Sequence, residues 1–316
     1  MSPPRSAAVA AALCAVATSG CGLGPGEDEG EVELTVSRDY GTRVSVDEEA
    51  EIDESDTVIR VLDRETEIST RFDGGFVHSI DGLAGSVDDG RRSDWFFYVN
   101  GVESGRGSAE FDVGDGDRVW WDHHDWSTAM RAPAVVGDWP EPFVHGYDGD
   151  RWTAGVYCGG ARALCAQIHE QLGAEGARTD ADPAADQAGS AEEGESGDDG
   201  EIRVLVGPWD ALRADPVAGL LRFGPDRSGV FATFSGTGED AGLTLLSPRG
   251  RVVESFGEGA GLVAALRPDE SPPTWVVTGT DAVGVASAAA LVGDELSDRF
   301  AVAAAPGGEP IGVPVP

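Results

Sequence analysis

Trp95-Phe96-Phe97-Tyr98-Val99-Asn100-Gly101, then Gly114-Asp115-Gly116-Asp117, then Val119-Trp120-Trp121 decide how the first third of this 316-residue chain is read. Asn-Gly favours a tight turn with positive φ, so the aromatic run before it reads as a strand entering a hairpin-type turn. The Asp115-Gly116-Asp117 turn launches a second strand, Arg118 to His123, on which adjacent Trp120 and Trp121 must face opposite sides. Working outward, Val32, Leu34 and Val36 alternate with Glu31, Glu33 and Thr35, the period of a half-buried strand, and Arg43 to Val46 supplies its partner. Ser55 or Asp56 is placed to cap a helix whose apolar face is Val58, Ile59, Val61 and Leu62 and which ends before Glu67. Ile68 to Phe72 and Phe76 to Ile80 flank Asp73-Gly74-Gly75, a hairpin signal. Two strands, a helix, then several strands predict a β-grasp-like domain over residues 31–128, one helix lying across a mixed sheet.

The same residues carry a resemblance. Thr57 to Leu62, Gly75 to Leu83, the Trp95–Gly101 stretch and Gly114-Asp115-Gly116-Asp117 with Val119-Trp120-Trp121 resemble the transcobalamin C-terminal-like domain, also called domain of unknown function 4430. The likeness covers roughly residues 30–128, under a third of the chain. It implies the fold strongly and corrinoid binding weakly. In the animal carrier this domain closes over cobalamin from one side while a helical barrel holds the other, and this chain has no such barrel.

Thr153 to Cys158 reads as a strand, Ala161 to Leu172 as a helix, and Ile202 to Val206 as a strand; Asp215-Pro216 reads as the start of a short helix. Val230 to Phe234, Leu243 to Leu246, Leu262 to Leu266, Thr274 to Val277 and Phe300 to Ala303 are further strands, and Asp281 caps an alanine-rich helix to Val292. The fold class is therefore α+β: the β-grasp-like domain, then a smaller α/β-type domain with a mixed sheet over 129–304. Thr179 to Glu201 carries nine acidic residues and no basic one, and is expected to be a disordered insertion. The Pro/Gly-rich tail 305–316 is expected to be loose.

At the start, one positive charge in Met1 to Arg5, the apolar run Ala7 to Ala17 and Thr18-Ser19-Gly20-Cys21 have the form of an export signal, residues 1–20. The end resembles a bacterial lipobox, which implies lipidation at Cys21. Thr18 stands where leucine is usual, and ordinary secretion is the alternative. Residues 21–30 would then be a tether holding the folded part at the outer face of the cell membrane. With Cys14 in the signal and Cys21 lipidated, Cys158 and Cys165 remain, and in an oxidising compartment they read as a disulfide.

The composition excludes several functions. All 22 basic residues are arginine, against 57 acidic ones, so the formal charge is −35. Such a chain repels nucleic-acid phosphates and the anionic leaflet of a membrane, and without lysine it has no Schiff-base, pyridoxal-phosphate or P-loop chemistry. No Gly-x-Ser-x-Gly elbow occurs. Gly257-Glu258-Gly259-Ala260-Gly261 lacks dinucleotide spacing, and Gly236-Thr237-Gly238 reads as a hairpin loop. No enzyme and no resident cofactor or metal is expected, with corrinoid a candidate ligand by resemblance. The excess of acid also suggests a saline setting, where salt screens self-repulsion.

Five of eight tryptophans (Trp95, Trp120, Trp121, Trp126, Trp139) fall close together. Phe96, Tyr98, Trp120, Trp121, His124 and Trp126 are the candidate ligand-binding residues, suited to a flat, weakly polar molecule such as a corrin, a sugar or a peptide. The competing reading is that these aromatics cover the sheet against the second domain. In Asp122-His123-His124-Asp125 the adjacent histidines diverge, so one of them could meet a metal, or could simply hydrogen-bond an aspartate. Two functions stand: a lipid-anchored solute-binding protein feeding an uptake transporter, or an envelope structural or interaction module with no small ligand.

Overall fold

The computed structural model describes residues 30–72, 74–180 and 200–316. The signal, Cys21, residues 22–29 of the tether and 181–199 of the acidic insertion lie outside the described residues. Gly30 opens the first strand, and the ends of the insertion are ordered, Thr179 bridging Ala154 and Glu201 opening a strand. The architecture is α+β, built on two six-stranded mixed sheets.

The first half runs β1 (Gly30–Arg38), β2 (Arg43–Ile52), α1 (Val58–Glu65), β3 (Ile68–Arg71), β4 (Phe76–Ile80), β5 (Leu83–Ala84), β6 (Ser86–Asp88), β7 (Arg91–Val99), β8 (Val102–Glu103) and β9 (Arg118–Asp125). Its main sheet has the order β2-β1-β9-β7-β6, with β8 paired to β7. β1 runs parallel to β9, and its pairing with β2 is antiparallel, as is that of β7 with β9. β3, β4 and β5 form a separate small antiparallel sheet. α1 buries Val58, Val61 and Leu62 against Val32, Leu34, Val36, Val99 and Trp121. Thr57, not Ser55 or Asp56, occupies the N-cap position and makes no side-chain cap bond. The Asp56 carboxylate is already taken, accepting from Arg64 Nη1 at 2.9 Å and from the Asp53 amide at 2.9 Å.

The second half runs β10 (Thr153–Cys158), α2 (Arg162–Ala174), β11 (Glu201–Pro208), α3 (Trp209–Leu212), α4 (Pro225–Ser228), β12 (Ala232–Ser235), β13 (Gly242–Leu246), β14 (Val252–Phe256), β15 (Gly261–Leu266), β16 (Thr274–Gly279), α5 (Ala282–Ala289), β17 (Ala301–Ala304) and β18 (Pro310–Val313). The sheet order is β10-β11-β16-β15-β17-β18, with β12-β13-β14 a separate meander. β15, β16 and β17 are buried along their whole length, as their unbroken apolar sequences require of central strands covered on both faces. α2 and α5 cover one face through Ile168, Leu172, Val285 and Ala288. Contrary to the expectation of a smaller second domain, this half is the larger of the two, since to a six-stranded and a three-stranded sheet like those of the first half it adds the 13-residue α2 and further short helices.

Three further expectations are corrected. Part of the tail 305–316 is ordered: β18 pairs antiparallel with β17 and buries Val313. Pro310 opens that edge strand, where its missing amide costs no ladder bond. The turn after Asp215-Pro216 is a 3-10 helix, Ala218–Arg222, because the Asp215 carboxylate accepts both the Val217 amide (2.9 Å) and the Ala218 amide (3.0 Å) and holds the backbone tight. α5 ends at Ala289, three residues short of Val292. Its cap is as read, with Asp281 accepting the Gly284 amide at 2.8 Å.

Candidate binding site

The motif that reads most clearly in the sequence builds a corner. Asn100 (φ 53°) and Gly101 (φ 74°) take the left-handed backbone of the turn between β7 and β8. The Asn100 Nδ2 donates to Asp117 Oδ1 (2.7 Å) and to the Gly146 carbonyl (2.8 Å), and its Oδ1 accepts the Arg118 amide (2.8 Å). Asp117 Oδ2 accepts the Gly114 amide (2.8 Å). Val-Asn-Gly and Gly-Asp-Gly-Asp are thus the two halves of one hydrogen-bonded joint that sets the register of β7 against β9. Gly101 also donates to the buried Asp138 carboxyl (2.6 Å), whose pKa burial pushes up to about 7.

β7 and β9 present two faces. Trp95, Phe97 and Val99 with Val119, Trp121 and His123 lie on the α1 side; Tyr98, Trp120, Asp122 and His124 lie on the other. On that second face, Tyr40, Tyr98 and Trp120 share one core with Leu205, Trp209, Phe231, Leu262 and Phe300 of the second half. His124 lies between Tyr40 and Phe96, each ring centroid 4.4 Å away, and Phe300 meets it edge-on at 5.5 Å. Its Nδ1 is bonded to Asp122 Oδ1 at 2.8 Å. The buried Asp122 carboxylate also accepts the Ser37 hydroxyl (2.6 Å) and the Tyr40 (3.0 Å) and Gly41 (2.9 Å) amides. Burial pushes the Asp122 pKa up, but these donors outweigh it and hold it below the usual carboxylate range. His123 points the other way, edge-on to Trp95 at 5.2 Å, and burial pushes its pKa down. Among the described residues, no group of three or more His, Cys, Asp or Glu is placed to hold a metal ion.

A cavity of about 540 Å³ opens between β4 and β7. Phe76, Trp95, Phe96, Phe97, Trp121 and Trp126 give it aromatic walls, and Met130, 72 % exposed, lies at its edge. Phe72, 84 % exposed on the β3–β4 turn, meets Phe76 edge-on. Arg92, Asp94, Glu103, Ser104, Arg106 and Ser108 supply its polar part. The Arg92 guanidinium lies 5.2 Å from the Trp126 ring centre, while Arg106 covers Phe111 and pairs with Asp148. Glu103 gives Oε1 to Arg131 (3.2 Å), its Oε2 has no partner, and burial raises its pKa.

The six sequence-derived candidates therefore divide. Phe96, Trp121 and Trp126 line the cavity; Tyr98, Trp120 and His124 do not, and lie buried between the two sheets. Cys158, at the end of β10, is bonded to Cys165 on α2 with 6.0 Å between their Cα atoms. Arg92, Glu103, Phe76 and Met130 were not singled out by sequence. They come to the cavity from four separate segments, and no local spacing marks their convergence.

The family described as Domain of unknown function (DUF4430) matches residues 55–125. The crystal structure of a candidate metal binding protein from Ruminococcus gnavus ATCC 29149 is similar over 31% of this chain and 98% of that one, at 20% identity and a TM-score of 0.25. No curated protein matches the chain.

Proposed function

We propose that this chain is a lipid-anchored, extracytoplasmic binding protein that captures a small, flat, weakly polar solute in the cavity walled by Phe96, Trp121 and Trp126. The observation that carries this reading is the cavity itself: about 540 Å³, within the size usual for small-molecule sites, with aromatic walls and a set of polar groups at Arg92, Asp94, Glu103, Ser104, Arg106 and Ser108. Exposed Phe72 and Met130 beside it would gain from being covered by a ligand. The β-grasp-like reading of the first half and its likeness to the transcobalamin C-terminal domain make a corrinoid the first solute to try. Cys21 would carry the lipid and residues 22–30 the tether, and an uptake transporter is the partner such a protein would serve. The role is binding without catalysis.

A second reading, an envelope interaction module with no small ligand, draws support from Tyr98, Trp120 and His124, which are packed between the sheets and unavailable to a ligand. Titration with cobinamide and cobalamin, followed by the corrin spectrum and by heat, separates the two. Saturable binding weakened at least about tenfold in Trp126→Ala, a loss of about 1.4 kcal/mol or more, supports the solute-binding reading. Absence of heat and of spectral change removes corrinoids, and a flat response to a panel of aromatic solutes and sugars leaves the module reading.

A further inference from the structure

A second cleft, of about 630 Å³, reverses the charge balance of the molecule. Over the whole chain acids outnumber arginines 57 to 22, yet its lining holds four arginines (Arg43, Arg91, Arg249 and Arg251) against two aspartates, Asp39 and Asp125. The arginines come from three separate places: the start of β2, the start of β7, and the turn between β13 and β14. Arg249 and Arg251 form no ion pair among the described residues. Arg43 is engaged by Asp39 at 3.1 Å and Arg91 only by Asp88 at 3.9 Å, both exposed pairs of the weak, exchangeable kind. The β13–β14 turn is firmly built: Ser247 donates its amide to the Arg251 carbonyl (2.8 Å), Gly250 donates to the Ser247 carbonyl (2.8 Å), and Gly250 takes the positive φ of 67° that the turn needs. Pro314 and Pro316 line another side of the cleft, with the Val315 amide between them bonded to the Leu246 carbonyl at 3.0 Å.

Guanidinium groups are planar forks that match the oxygens of phosphate and carboxylate. Two unpaired and two loosely paired guanidinium groups exceed what a single carboxylate uses, and suit an anion with several oxygens and more than one charge. Remote acidic groups do not cancel this, because at physiological ionic strength charges beyond about 8 Å are largely screened. We infer that this cleft is an oxyanion site that takes a phosphate-class group, carried either on a soluble compound or on a lipid headgroup. It is independent of the aromatic cavity, and of whether that cavity binds a solute.

The test is calorimetric titration of the protein with inorganic phosphate and with pyrophosphate at 150 mM-class ionic strength, alongside co-sedimentation with phosphatidylglycerol and phosphatidylcholine vesicles. Saturable binding, tighter for pyrophosphate and weakened about tenfold or more in R249A/R251A but unchanged in Trp126→Ala, supports the site. Phosphate binding without pelleting assigns the group to a soluble compound. Pelleting on phosphatidylglycerol alone, lost in the same variant, assigns it to a headgroup. Binding that the double variant retains, or no binding in either arm, overturns the proposal. Both arginines are exposed on a turn, so the variant should keep its unfolding midpoint; Arg249→Gln alone gives the same comparison if it does not.

Discussion

Trp120 and Trp121 are neighbours in the chain and opposites in the fold. Trp121 reaches the cavity from the α1 side, while Trp120 is sealed between the sheets and donates its Nε1 to the Ser37 hydroxyl at 2.7 Å. His124, held by Asp122 and two stacked rings, also differs from Trp126, which follows the end of β9, is half-buried and lines the cavity. His124→Ala should therefore cost stability, about 3 kcal/mol, because it leaves a buried carboxylate without one of its donors and empties an aromatic stack. Trp126→Ala should cost less than about 1 kcal/mol and act on ligand binding instead. Urea unfolding of the two variants checks the contrast. Asp138 gives a pH signature. Its folded pKa, about 7, lies above the ordinary value of 3.8, so between those values the native state keeps a proton the unfolded state has lost. Its contribution to stability is thus present at acid pH and falls as pH rises through that window. Asp138→Asn, which retains an acceptor for the Gly101 amide, should gain on the wild type as pH is raised from 4.5 to 8, read as the difference in thermal midpoints, an upward trend whose absence would falsify this assignment.

At the level of elements, the strands and helices with strong local signals are where the sequence puts them. β10 spans Thr153–Cys158 as its apolar run requires, and α1 begins at Val58, where its amphipathic face begins. Those with weak signals are legible only after folding. β14 is almost wholly exposed, so nothing in Val252–Phe256 alternates toward a core, and β18 consists of residues that read as a Pro/Gly-rich tail until β17 offers them a ladder. The disulfide joins two elements that pack on each other, β10 and α2, across a short loop. By the closure entropy of so short a loop, Cys158→Ser/Cys165→Ser should lower stability by about 2–3 kcal/mol, measured by chemical unfolding of both forms under non-reducing conditions. Little change in the midpoint would mean that α2 is held by Ile168 and Leu172 alone.

Over the whole molecule, one core joins the halves, and one charge surrounds them. The aromatic face of the first sheet, the meander and the second sheet meet through Tyr98, Trp120, Phe231, Phe234 and Phe300. That face takes Tyr98 and Trp120 from the aromatic stretch of the sequence to join the sheets, while Trp95, Phe96, Phe97, Trp121 and Trp126 of the same stretch wall the cavity. Outside the core, β2 exposes Glu48, Glu49 and Glu51 along an edge strand, which guards it against pairing with another sheet. A chain of −35 repels itself when folded, so added NaCl should raise the thermal midpoint between low and physiological ionic strength. A midpoint that is flat or falls with salt would count against the saline setting.

The sequence by itself determined the α+β class, the central strands, the Asn100-Gly101 corner, the Cys158–Cys165 bridge and the exclusions that follow from having no lysine, because each rests on neighbours in the chain or on composition. Only the tertiary structure decided which aromatics are core and which are wall, and only it brought Phe76, Arg92, Glu103 and Trp126 around one cavity and Arg43, Arg91, Arg249 and Arg251 around another. Period and turn chemistry act over a few residues and leave a local trace. A cavity is made by surfaces that distant segments fail to fill, and no single segment records it.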